Sequence, residues 1–265
     1  MYDLRIKIIN KEEQTIAVSH PAGDGVALVH TASYNPQDRI VIDVGGKAGL
    51  YCIQLDEALP PALLYLDGGE FLFPVPTGQD HICYSPKAFA GNCHLMTARP
   101  ATAEETARRR NLAFNPYDRH TTKGFYPHAT ANVETRNEAV FAARNAIDGI
   151  FENSSHGVYP YSSWGINRDP NAELRLDFGR TVLLDSIRLT LRADFPHDNW
   201  WKSAEITFSD GNTLTMDLVK SPLPQEITFD PKPVEWLTLG KLAKSDEPSP
   251  FPALTQIEAF GIEQK

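Results

Sequence analysis

Apolar and polar positions alternate with a period of two through most of this chain. Runs of strand length fall at residues 4–9, 15–19, 26–30, 39–44, 50–55, 62–66 and 70–73. The AGDG, NPQD, GGKAG and DGG segments between them carry the residues that turns require. The pattern predicts a small antiparallel sandwich in which Asp67-Gly68-Gly69 closes a hairpin between two apolar runs. After Pro100 the character changes. In TAEETARRRNLA, Thr102 with Glu105 three residues on forms a capping box ahead of good helix formers, and Asn115-Pro116 ends the helix. Residues 115–127, NPYDRHTTKGFYP, read as a polar, turn-rich connection.

Alternation then returns. Residues 172–179 set Leu174, Leu176 and Phe178 against Glu173, Arg175 and Asp177, the signature of a strand with one buried face. Runs at 182–191, 204–208, 213–218, 226–229, 234–239 and 256–260 continue the series, with one short Ala-rich helical candidate at 138–146. Strands at this spacing without intervening helices imply sandwiches or jelly rolls. The predicted fold class is all-β: two β-sandwich domains, the C-terminal one a jelly roll, joined through a short helix and linker. The predicted boundaries are 1–114, 115–127 and 128–265.

Composition narrows the function. The 265 residues include 42% hydrophobic and 22% charged positions, ordinary for a chain that buries a real core. A formal charge of −9 argues against nucleic acid as a partner, and Arg108, Arg109 and Arg110 follow Glu104 and Glu105 as a solvated helix face. The amino terminus has no uninterrupted apolar stretch, so neither a signal peptide nor a membrane span is expected there. Three cysteines indicate no disulfide framework and favour a reducing, cytoplasmic setting. His81, Cys83, Cys93 and His94 lack the ligand spacing of a zinc site.

Two segments concentrate chemistry. AARNAIDGIFENSSHG (142–157) is a turn rich in oxygen donors around Asp148 and Gly149, and LRADFPHDNWWKS (191–203) crowds charged, amide and aromatic groups into one loop. Sugar recognition needs aromatic faces for the C–H patches of a ring and charged or amide groups for its hydroxyls. Arg192, Asp194, His197, Asp198, Asn199, Trp200 and Trp201 supply both, and His156 could reach the same rim from the preceding loop. Adjacent strand residues face opposite ways, so one of the two tryptophans is expected in the core. The PSPFPA loop holds Phe251 in a Pro-bounded frame, as a wall of the site or a lid over the sheet edge.

ATANVETRNEAVFAARNAIDG (129–149), SSWGIN (162–167), AELRLDFG, LLDSIRLTLR (183–192), AEITFSDG (204–211) and TQIEAFG (255–261) together resemble the coagulation-factor type C, or discoidin-like, family. Its bacterial members include carbohydrate-binding modules with the galactose-binding-like jelly roll. The likeness spans about half the chain, and the first half matches no family. It implies a ligand site in loops at one end of the sandwich. It also implies a structural Ca²⁺ held by the Asn145 carbonyl, the Asp148 side chain, the Ile150 carbonyl, Ser154 or Ser155, and Glu258. Ile150 departs from the family, where a polar residue often follows the glycine. The expectation is a non-catalytic protein with a carbohydrate ligand. The alternatives are a carbohydrate-active enzyme using paired carboxylates (Asp194 with Asp198, or Asp169 with Glu173) and a protein-interaction module. Oligomeric state is not legible in the sequence.

Overall fold

The computed structural model describes residues 4–121, 123–192 and 199–264. The first half is a two-sheet sandwich. One sheet runs Thr15–Val18, Arg5–Ile9, Arg39–Asp43, Glu70–Pro74; the other runs Phe125–Tyr126, Ala62–Leu66, Gly49–Gln54, His94–Pro100, Gly25–His30, His20–Ala22. The alternation does what it predicts: Ile6, Ile8, Ile40, Ile42, Phe71 and Phe73 from one sheet meet Leu28, Ile53, Leu64 and Met96 from the other.

One turn is not what its composition suggests. Ala62–Leu66 and Glu70–Pro74 do not pair with each other but belong to opposite sheets, so Asp67-Gly68-Gly69 is an arch across the sandwich and not a hairpin. Glycine and aspartate suit either turn, and the choice is made by distant partners. The Asp67 N–H donates to the Gly124 carbonyl at 3.1 Å, and a side chain on Gly124 would run into Asp67.

The second half is an antiparallel jelly roll whose two layers are joined by long bent strands. Leu174–Leu191 pairs with Gln225–Lys244 from Leu174 to Leu189, and its register shifts between Asp177 and Val182 and again between Leu184 and Ser186. At the first of these Gly179 has φ +68°, and a Cβ there would overlap the Tyr126 ring. The first part of the strand pairs with His128–Ala131 and the later part with Ala253–Glu263. Trp201–Phe208 and Thr213–Asp217 complete the order. Between the layers lie Leu174, Leu176, Phe178, Ile187, Leu189, Ile206, Leu237 and Ile257, with Trp164 and Trp201 at ring centroids 6.5 Å apart. Among the described residues no helix is long and apolar enough to cross a membrane.

The capping box forms, but the helix it starts is only Ala103–Ala107. The chain then leaves the helix early, because Arg110–Asn111 joins the Ala253–Glu263 strand of the jelly roll, and Leu112 and Ala113 enter that core. The Ala-rich segment likewise forms two short 3₁₀ turns, Ala139–Phe141 and Ala143–Ile147, and no α-helix.

Residues 115–127, expected as a linker, are built into both halves. Tyr117 and Phe125 sit in the first core, and Phe125–Tyr126 extends the first sheet. Arg144 is buried at the seam. Its Nε donates to the Asp118 carbonyl at 2.9 Å and its Nη2 to the Pro116 carbonyl at 3.0 Å, while its guanidinium lies 4.5 Å from the Tyr84 ring centroid. Asp118 in turn accepts from the Ala129 N–H and pairs with His128 at 2.6 Å. Arg144→Ala is expected to lower the stability of the whole chain by about 3 kcal/mol or more, since two charge-assisted bonds are lost and their buried carbonyls stranded. Urea denaturation followed at both halves checks this: the two should lose stability together.

Candidate functional site

Two backbone turns of unusual conformation meet at one end of the jelly roll. Arg136 and Asn137 have φ of 52° and 53°, and Asn167 and Arg168 have φ of 48° and 63°. Pairs of consecutive non-glycine residues in the left-handed region are strained and persist only where the surroundings enforce them. Thr135 does this here: its hydroxyl accepts from the Asn167 N–H at 3.0 Å, and a Cβ on Gly165 would come within 2.6 Å of that oxygen. Gly165 therefore lets the two turns approach.

Between them is a cavity of about 180 Å³. A space of roughly 150 Å³ takes one benzene-sized ring, so this one suits a single ring. Arg136 and Arg168 stand at its mouth with Asn167, His156 lines another side, and Phe141, Phe251 and Arg192 complete the wall. Phe251 is held between Pro250 and Pro252, and the Arg168 guanidinium stacks on its ring at 4.5 Å. Arg192 follows Leu174–Leu191 and is buried. Its N–H donates to the Ala253 carbonyl at 3.0 Å and its Nη2 to the Phe251 carbonyl at 3.1 Å, which straps the Pro-Phe-Pro loop to the sheet. Arg136 donates from Nε and Nη2 to the two carboxylate oxygens of Glu138, at 2.6 and 2.8 Å.

Of the candidate ligand residues, the fold brings Arg192 and His156 together. Asp194, His197 and Asp198 lie outside the described residues. Asn199, Trp200 and Trp201 do not line the cavity. Asn199 is fully engaged: its Nδ2 donates to the Glu247 and Ser249 carbonyls, and its Oδ1 accepts from Trp200 N–H and the Ser245 hydroxyl. Trp201 is the core member of the pair, with no exposed surface, and Trp200 packs half-buried with its Nε1 on Glu247. Asp169 accepts from the Asn171 N–H, and neither it nor Glu173 lines the cavity. Arg136, Asn167 and Arg168 carried no signal beyond ordinary turn composition. Their placement comes from the left-handed backbone.

The turn implied to hold calcium is closed in another way. The Gln256 Nε2 donates to the Asn145 carbonyl at 2.7 Å and to Asp148 Oδ1 at 2.8 Å, and its Oε1 accepts from the Gly149 N–H at 2.9 Å. An N–H donor thus occupies the position between two implied ligands. Glu258 lies across from Arg188 in the register, Ser154 is exposed, and the buried cation Arg144 adds repulsion. Among the described residues no cluster of three His, Cys, Asp or Glu side chains could hold a metal. One carboxylate beside an amide and a guanidinium does not fit a dication that prefers six to eight oxygens. Burial pushes Asp148 up to about 6, against the opposing pull of Arg144, the Ile150 N–H and Gln256.

No family profile matches this chain, and no curated protein matches it. Solved structures do, at low similarity. A family 32 carbohydrate-binding module of C. perfringens NanJ, in complex with galactose, is 19% identical over 50% of this chain and 91% of its own, with a TM-score of 0.38. The lectin domain of Lectinolysin complexed with Lewis B antigen is 20% identical over 57% and 96%, with a TM-score of 0.43. A chitosan-binding module from a chitosanase/glucanase of Paenibacillus sp. IK-5 is 17% identical over 57% and 99%, with a TM-score of 0.40. The jelly-roll assignment rests on the strand order and register, not on these likenesses.

Three outcomes are expected. Trp201→Ala should cost about 3–5 kcal/mol of stability by opening a core cavity, read as a lowered denaturation midpoint. The melting temperature of the parent chain should be the same with chelator or millimolar calcium. Gln256→Glu, which exchanges the donor amide for a carboxylate, should create a calcium response, worth about 2.7 kcal/mol when free calcium is a hundredfold above the dissociation constant.

Proposed function

We propose that this chain is a carbohydrate-binding protein that takes one sugar ring into the cavity between the 135–137 and 166–168 turns. The observation that carries the reading is the meeting of an aromatic face, Phe251, with the Arg192 guanidinium and His156 around a space of about 180 Å³. A sugar ring presents C–H groups on its faces and hydroxyls on its edge, and this wall answers both. The strained turns and the Pro-bounded loop fix these groups before a ligand arrives, which lowers the ordering cost of binding. The discoidin-like sequence pattern of residues 129–261 points the same way, since it implies a ligand site in loops at one end of the sandwich. Binding without chemistry is the role this cavity supports.

Isothermal titration with a panel of mono- and oligosaccharides is the test. Saturable heat from at least one sugar is expected. Phe251→Ala should weaken it roughly tenfold through loss of the aromatic face, and Arg192→Ala should abolish it. Because Arg192 also straps the loop, the melting temperature of each variant is measured alongside. Unchanged affinity in folded Phe251→Ala would place the sugar elsewhere.

A further inference from the structure

A second cavity lies at the seam of the two sandwiches, away from the turns that carry Arg136 and Arg168. It measures about 370 Å³, and its wall includes Leu63 from the first sandwich, Asn111 and Phe114 from the stretch after the short helix, and Phe151 and Glu258 from the jelly roll. Glu258 is five residues along the last strand from Ala253 of the first cavity, roughly 17 Å at 3.4 Å per residue, so the two spaces are separate. Glu258 is only 9% exposed, and among the described residues its carboxylate makes no hydrogen bond and no ion pair. Arg188 stands opposite it in the register, but Arg188 Nε holds Glu226 at 3.2 Å and the guanidinium lies 4.5 Å from the Phe260 ring centroid. Burial pushes the Glu258 carboxyl up, against the pull of Arg188 and with a smaller push from Glu226. The other charged group in the wall, Arg110, is taken by Glu263 and the Glu105 carbonyl.

A carboxylate withdrawn from water is costly to leave without donors. Asn111 presents the opposite need. Its Oδ1 accepts the Ala113 and Ala259 N–H groups, each at 3.0 Å, which fixes the amide and leaves Nδ2 to donate; no described residue accepts from it. Two phenyl rings complete the wall. Phe151 is exposed, and Phe114 packs over Gly149, where a Cβ would come within 2.5 Å of its ring. An ammonium group only donates, so it would satisfy Glu258 and leave Asn111 unmet. A ring bearing hydroxyls donates and accepts from neighbouring carbons and offers C–H faces to phenyl groups. At roughly 150 Å³ per ring, the space takes two such rings. We propose that the seam cavity is a second saccharide site of disaccharide size, in which Glu258 accepts from ligand hydroxyls, Asn111 donates to them and Phe151 covers a ring face. It shares a ligand class with the cavity beside Phe251 and none of its residues, so it stands without that cavity.

The test is isothermal titration of the full chain with lactose, cellobiose, maltose and N,N′-diacetylchitobiose, with methylammonium chloride as a cation probe. The parent is compared with Glu258→Gln, Phe151→Ala and Phe251→Ala. At least one disaccharide is expected to show a binding event that Glu258→Gln and Phe151→Ala each weaken about tenfold. The melting temperature of Glu258→Gln should equal or exceed the parent's, because the variant removes a buried charge that the fold leaves unpaired. A marked fall would assign the carboxylate to the fold and overturn the site. Sugar heat that Phe251→Ala alone weakens would overturn the seam site and leave the earlier reading standing. Heat weakened by Glu258→Gln and Phe151→Ala but not by Phe251→Ala would support the seam site and move the sugar out of the first cavity. No heat from any sugar would remove both. Methylammonium binding more tightly than every disaccharide, and lost in Glu258→Gln, would make this a cation site and overturn the inference.

Discussion

The arrangement depends on one buried cation. Arg144 sits at the seam of the two sandwiches, where it closes carbonyls of the 115–118 segment, faces the Tyr84 ring of the first half and donates to its own neighbour Asn145. A guanidinium taken out of water must satisfy its donors, and it can do so only if the connecting segment, the first sandwich and the 143–147 turn stand in fixed relation. Residues 115–118, which read as a linker, are for that reason part of the structure they join.

From that turn the constraint passes on to the site. Asn145 and Asp148 are gripped by Gln256 on the last strand, and the same strand begins at Ala253, whose carbonyl receives the Arg192 N–H. Arg192 then holds the Phe251 carbonyl. The aromatic wall is thus connected by hydrogen bonds to the seam between the sandwiches. A glutamine in this role ties turn to strand with neutral donors. The Asp148 carboxylate loses water and gains the Gln256 amide and the Ile150 N–H on Oδ1, while its Oδ2 is buried without a hydrogen-bond partner among the described residues.

The cavity is a product of backbone strain as much as of side-chain identity. Four non-glycine residues in the left-handed region, in two adjacent pairs, bring Arg136, Asn167 and Arg168 to one rim. Such conformations are costly, and Thr135, Gly165 and the Arg136–Glu138 pair are the contacts that hold them.

By itself the sequence determined the all-β class, most strand positions and the capping box at Thr102, because these follow from local periodicity and local hydrogen bonding. It also singled out Arg192, His156 and the Phe251 loop, since a Pro-bounded aromatic and a charge at a strand end stand out locally. Only the tertiary structure decided that Asp67-Gly68-Gly69 crosses between sheets, that the connection at 115–127 enters the first core through Tyr117 and Phe125, and that Trp201 and Asn199 serve the core and the loop, not the cavity. It decided, too, that Gln256 reaches the NAIDG turn from the last strand. The reason is common to all of these: each depends on partners tens of residues away, and a pattern of period two records which face is buried without recording what that face meets.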